Sequence, residues 1–538
     1  MKITIATLLT FFLNHVTTLV RAEECKPLPL EFSNTMGLMI EKIGSVTAIN
    51  TDAFSYNMAV FDNFDGSMTF FLDQKNGVIY CFDSNDSTTS TIFDMNTSDI
   101  PAGLTLDWSL GSSGQTYKVK SMTQGMADDQ VIVVFTSSTL PTGWTKADAT
   151  LPAPGTYGQY MCGPDNTVWI PDIYRPGVIP DCFANGGGVP TFTGYDVFYK
   201  FNIVDGKLAN PDPFFVHESA VLVGHLGSGI ITLDDGRVLW STGDCTVFGL
   251  DGHYAPQLNF ETCGKILLLD PTSKGEYRVV AKGVRNSQQM RIFTKDKTLN
   301  SESPKSKSLK TKVPKSKAPK SDKRKLKKEK NKKDSTSMEY LAFMDIGGVT
   351  AEEVNAVSID EILGSEIVNF GWGRNIHDGK AREGTFYVNP GNGGVLGIEP
   401  SCAANAPIGE HGYIQPWIQF GRTATDFYYA ISSLAIPTAG NDKLKLLWSE
   451  FNTGQIMGTD EIFVDGAPPV TGYKIKIHNA DAAGAYLENG LNDLVKEELG
   501  DVGYTSRGDP RLFHFPDGHA GVFIERTGIF YKLTEMAI

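Results

Sequence analysis

The 538-residue chain lacks any apolar stretch of the roughly 20 residues that a membrane-crossing helix needs; its longest, Ile3 to Leu13, is cut off by Asn14 and His15. A spanning helix is therefore not expected. There is no CxxC and no His/Cys cluster, which excludes the usual structural zinc sites. Long segments of 3.6-residue periodicity are few, and this removes helical bundles from consideration. What the chain has instead is 55 Gly, 31 Phe and 19 Tyr in a globular composition, 41% hydrophobic and 20% charged. That mixture favours many short strands joined by tight turns.

Lys2, the apolar run and the ending Val20-Arg21-Ala22 have the form of a cleaved secretory signal over residues 1–22. The expected location is secreted or extracellular. In such a compartment most of the seven cysteines should pair, and the odd count leaves at least one thiol free or intermolecular. Cys162 with Cys182 and Cys245 with Cys263 are the nearest pairs in sequence, although spacing does not settle connectivity. Asn85-Asp-Ser87 and Asn96-Thr-Ser98 are sequons for a glycoprotein.

From residue 23 the apolar period is two, as in Val131-Ile-Val-Val134. A phrase then recurs in which a turn with Asp beside Asn or Gly precedes a β-branched or aromatic strand. It occurs at Gly163-Pro-Asp-Asn166, Asp234-Asp-Gly236 and Pro516-Asp-Gly518, and more loosely at Asn441-Asp442. Asp-Gly turns alone are generic hairpin signals. Their return at long intervals predicts repeated antiparallel sheets, an all-β, six-bladed β-propeller over residues 23–538, with a β-sandwich plus an appended domain as the other arrangement.

The net charge of −14 is unevenly spread. Between Lys305 and Lys333 stand fourteen lysines and Arg324 against Asp322 and Glu329, a net +13, which leaves about −27 elsewhere. The Lys/Ser segment 301–337 contains Pro304, Pro314 and Pro319 and has no apolar period, so it reads as a disordered insertion between two strands of one blade. Such a tract suits a polyanion or mineral surface, and equally a solvated spacer. Secretion argues against nucleic acid.

His225, between Gly224 and a Gly-Ser-Gly run, has the residue type to accept a hydroxyl proton, although a lone histidine is as readily structural. Arg285-Asn286 combines a cation and an amide suited to a carboxylate or quinone oxygen. Alone, it reads equally as a loop hydrogen-bonding pair. Asp345 to Gly348 offers hard oxygen ligands of the kind calcium takes, or simply a turn. Glu352 and Glu353 suit supporting acids or a solvated pair, and Trp372 suits the core.

These segments, in this order, resemble the soluble quinoprotein glucose/sorbosone dehydrogenase family. The resemblance lies in His225 through Gly236, Gly283-Val-Arg285-Asn286-Ser-Gln288, Asp345-Ile-Gly347, Glu352-Glu353-Val-Asn355 and Asn369-Phe-Gly371-Trp372, and it extends over about residues 195–535. It implies a six-bladed propeller that binds pyrroloquinoline quinone and calcium and oxidises a sugar or polyol. By the same resemblance His225 is the general base, Arg285 and Asn286 face the quinone, and Gly347 and Gly348 give carbonyls to calcium. Three features depart from the family pattern: an arginine is replaced around Gly229, Asn452 stands for a cofactor-holding lysine, and the paired late arginines become Arg507 and Arg511 at altered spacing. The alternative expectation is a non-catalytic propeller that binds an extracellular protein, glycan or mineral surface.

Overall fold

The computed structural model describes residues 31–46, 58–61, 68–106 (except 75, 98 and 99), 118–149 (except 128), 193–220, 227–244, 255–296 (except 258, 260 and 261), 337–346, 351–372, 386–388, 395–398, 414–421 (except 415), 430–461 (except 442 and 452), 471–500 and 508–536 (except 516). The expected leader 1–22, Cys162, Cys182 and Cys245 of the sequence-adjacent cysteine pairings, and the body of the lysine-rich segment fall outside these residues.

The strands form a six-bladed propeller, with blades I to VI in chain order. Their inner strands are Met58–Phe61, Val119–Gln124, Gly227–Thr232, Met290–Asp296, Ile431–Ala435 and Pro510–His514, and each is a neighbour of the next around a closed ring. Blade VI closes that ring from both ends of the chain: Pro510–His514, Ala520–Ile524 and Ile529–Met536 are joined by Gly37–Ser45, antiparallel to the last of them.

Six hydrophobic clusters hold the ring, one at each junction between blades. Successive residues of a strand point to opposite faces, so a strand covered on both sides must be apolar at nearly every position. Val131, Val133 and Phe135 therefore pack toward blade I, while Ile132 and Val134 pack toward blade III against Trp240. This is the physical reason for the unbroken run Val131-Ile-Val-Val134. The junction between VI and I is almost wholly aromatic, with Phe71 stacked on Phe530 at 4.8 Å between centroids.

The Asp-Gly phrases at 234–236 and 517–518 are hairpin turns between first and second strands, with Gly236 and Gly518 at φ +85° and +82°. That conformation is easily reached only without a Cβ. Gly163 to Asn166 lies outside the described residues.

The strands flanking the lysine-rich segment pair antiparallel to their ends, from Met290 with Phe343 to Asp296 with Ser337. The segment thus departs from and returns to the first hairpin of blade IV. Cys81 is buried and not part of a disulfide, whereas Cys263 is disulfide-bonded. Among the described residues no helix is long and apolar enough to cross a membrane.

Candidate functional site

In an antiparallel blade the turns entering the inner strand and those joining the second to the third strand share one face of the propeller. The Arg285–Asn286 turn is of the first kind. Arg285 and Asn286 lie between Tyr277–Lys282 and Met290–Asp296. His225, Gly347, Gly348, Asn452 and Arg507 lie outside the described residues. Their described neighbours Gly227, Ile346, Phe451, Thr453 and Gly508 border the same face, at the ends of strands of blades III to VI. The lysine-rich segment is attached at the opposite face.

Three backbone bonds pin the Arg285–Asn286 turn. The N–H groups of Arg285 and Asn286 donate to the two oxygens of Asp345 at 2.8 and 2.6 Å, and Asp244 N–H donates to the Arg285 carbonyl at 2.8 Å. Asp345 closes the second strand of blade IV and is buried. Burial pushes its carboxyl up to about 7; the two N–H bonds and the Arg285 charge oppose the rise, and Asp244 adds to it.

Within this turn the two side chains do different things. The Arg285 guanidinium lies 5.2 Å from the Trp372 ring centroid and donates from Nη1 to the Ile346 carbonyl at 2.8 Å, just before Gly347. Asn286 Oδ1 accepts the Gly227 N–H at 3.1 Å. Because the donor there is a backbone N–H, the amide oxygen must face it, so Nδ2 faces away. Nδ2 has no partner among the described residues and is not among their sealed, unpaired polar atoms.

Trp372 is itself held by its N–H to Gly283 at 3.0 Å, by Gln257 Nε2 on its carbonyl at 2.7 Å, and by Nε1 to Asp244 Oδ2 at 2.9 Å. Gln257 and Asn369 exchange amide bonds of 3.0 and 2.9 Å, which tie the 255–257 turn to the Asn369-Phe-Gly371-Trp372 segment.

Other buried carboxylates secure the same face. Glu352 accepts Ile431 N–H at 3.1 Å, so the pair Glu352 and Glu353, both buried, is not a solvated one. Glu450 takes Ala430 N–H and Thr453 N–H, each at 2.6 Å, and so brackets the turn that contains Asn452. Gly229 donates to Ser287 O at 3.0 Å, and a Cβ there would lie 3.1 Å from Ser241 Oγ. An arginine at that position would have to displace this close approach.

Arg511 is held more tightly than its place near Arg507 in the chain indicates. It is buried on the inner strand of blade VI, bonded to Glu525 at 2.6 Å, to Gln288 Oε1 at 3.0 Å and to the Ser432 carbonyl at 2.7 Å. It joins blades VI and V to the turn of Arg285. Its spacing from Arg507 was the available signal; its partners, far away in sequence, were not.

A quinone with several carboxylates needs cations and N–H donors. The described donor set fits one edge of such a group: Asn286 offers a fixed, unengaged amide and Arg285 a cation in the same turn, whereas Arg511 is bound to Glu525. Among the described residues no cluster of three His, Cys, Asp or Glu could hold a metal ion. The calcium expected from the resemblance would rely on the Gly347 and Gly348 carbonyls.

No family model and no curated protein matches the chain. Among solved structures it is similar to an apo soluble aldose sugar dehydrogenase from Escherichia coli, 12% identical over 93% of this chain and 100% of that one, TM-score 0.43. It is also similar to a Trichoderma reesei carbohydrate-active enzyme of family AA12 in an iodide structure, 10% identical over 95% of this chain and 98% of that one, TM-score 0.39. The calcium structure of the same enzyme is 9% identical at the same coverage and TM-score. Scores this low carry no argument about activity, and the propeller stands on its own strand pairing.

Proposed function

We propose that the chain is a secreted propeller oxidoreductase that oxidises a sugar or polyol with pyrroloquinoline quinone and calcium. The observation that carries this reading is the Arg285–Asn286 turn, pinned at three backbone atoms so that a free amide and a cation stand at the face bordered by the other motif segments. When bound, the quinone supplies the acceptor for the substrate's hydride. The chain's own residues do the rest: Asn286 donates through Nδ2 to an oxygen of the bound group, and Arg285 offsets its negative charge. His225 receives the substrate's hydroxyl proton, and Asn452 and Arg507 complete the holding set. Gly347 and Gly348 hold calcium by their carbonyls.

The lysine-rich segment serves in this reading as an anchor to a polyanionic or mineral surface. What supports this is its net +13 and its attachment to the face away from the candidate site, which leaves that site open to substrate.

The test is reconstitution of the purified protein with the quinone and calcium, followed by dye reduction with a panel of aldoses and polyols. Saturable quinone binding, and dye reduction that His225→Ala abolishes, is the expected result. Absence of quinone binding at micromolar concentration overturns the enzyme reading in favour of a non-catalytic binding propeller.

A further inference from the structure

We infer that Trp372 is a positioning residue, the plate that holds the Arg285 guanidinium in place in the turn it shares with Asn286; its relevance to acceptor binding rests on the function proposed above. Trp372 is 3% exposed and fixed at its N–H, its carbonyl and its ring nitrogen. That restraint orients a ring face toward a cation. The guanidinium lies over that ring, 5.2 Å from its centroid, and donates to the Ile346 carbonyl at 2.8 Å. A long, flexible side chain loses entropy when it adopts one geometry, and a desolvated cation on an indole face offsets that loss. Asp244 closes the loop of contacts, because it holds the indole through Oδ2 and the Arg285 carbonyl through its own N–H. One residue thereby ties the indole to the backbone of Arg285.

The test uses cofactor-free full-length protein and phenylglyoxal, which modifies arginine guanidinium groups, with rates read at each arginine by peptide mass mapping. Arg285 is expected to react slowly in wild type and in Trp372→Phe, which keeps an aromatic face. It is expected to react about tenfold faster in Trp372→Leu, in line with loss of a desolvated cation–aromatic contact, while the rate at Arg511 stays unchanged. An unchanged Arg285 rate in Trp372→Leu overturns the inference, and so does an equal rise at Arg511, which would report general loosening. Should Trp372→Leu not fold, Trp372→Met removes the face at closer volume and is judged by the same rates. Quinone titration of the same variants separates this inference from the activity. A wild type that binds no quinone while Arg285 responds as described sinks the proposed function and leaves the hold of Trp372 on Arg285 standing.

Discussion

Lys120, on the inner strand of blade II, places Nζ 2.7 Å from Asp196 Oδ2, and the two side chains are 3% and 1% exposed. His217 Nδ1 lies 3.8 Å from the same carboxylate oxygen, its Nε2 meets Thr262 Oγ1 at 2.9 Å, and Lys120 sits 5.3 Å from the Trp240 ring centroid. Burial alone would raise the Asp196 carboxyl. The Lys120 charge, with the His217 hydrogen bond and charge, outweighs burial and holds it below the ordinary aspartate value. A carboxylate depressed in this way contributes stability above its unfolded pKa and loses it as pH falls through the folded value. Lys120→Met removes the main cation and leaves the carboxylate buried, so burial now dominates and the sign reverses: the penalty is present at neutral pH and relieved by protonation in acid. Breaking a buried pair from one side costs about 3–5 kcal/mol. Denaturant unfolding of Lys120→Met should show that loss near pH 7.5 and much less of it near pH 4.5. Lys120→Met with Asp196→Leu should recover most of the stability, because well-packed apolar groups replace a buried pair at little net cost. A single-variant loss under about 1 kcal/mol at pH 7.5 would refute the reasoning, as would equal losses at the two pH values.

Asn286→Ala leaves the Gly227 N–H buried without its acceptor and should cost about 1–3 kcal/mol in urea unfolding, together with loss of quinone binding if the proposed function holds. Gly227→Ala places a Cβ 2.5 Å from the Ser241 carbonyl at φ +63°, and strain of about 1–2 kcal/mol from the conformation alone should lower the melting temperature. Replacing residues 297–336 with a short turn should leave the melting transition nearly unchanged while abolishing retention on an anionic resin; retention by the shortened protein would end the anchoring proposal.

The propeller was legible because its cause is local. Period-two strands, an unbroken Val131-Ile-Val-Val134 and recurrent Asp-Gly turns reflect blades packed on both faces, and the hairpin positions at Gly236 and Gly518 require left-handed glycine backbone wherever the chain goes next. The candidate turn was legible only as residue types. Nothing in Arg285-Asn286 says that one side chain will hold the Ile346 carbonyl and the other the Gly227 N–H, 59 residues away, or that Asp345 will take two backbone N–H groups. The Lys120–Asp196–His217 group was invisible, because its members lie on three strands that only blade pairing brings together.

The sequence by itself determined the blade, since alternation and turn chemistry act within a few residues. The tertiary structure alone decided which polar side chains became framework and which amide nitrogen was left unengaged. Closing the ring sets partners far apart in the chain at hydrogen-bond distance, and burial then compels each polar group to find one.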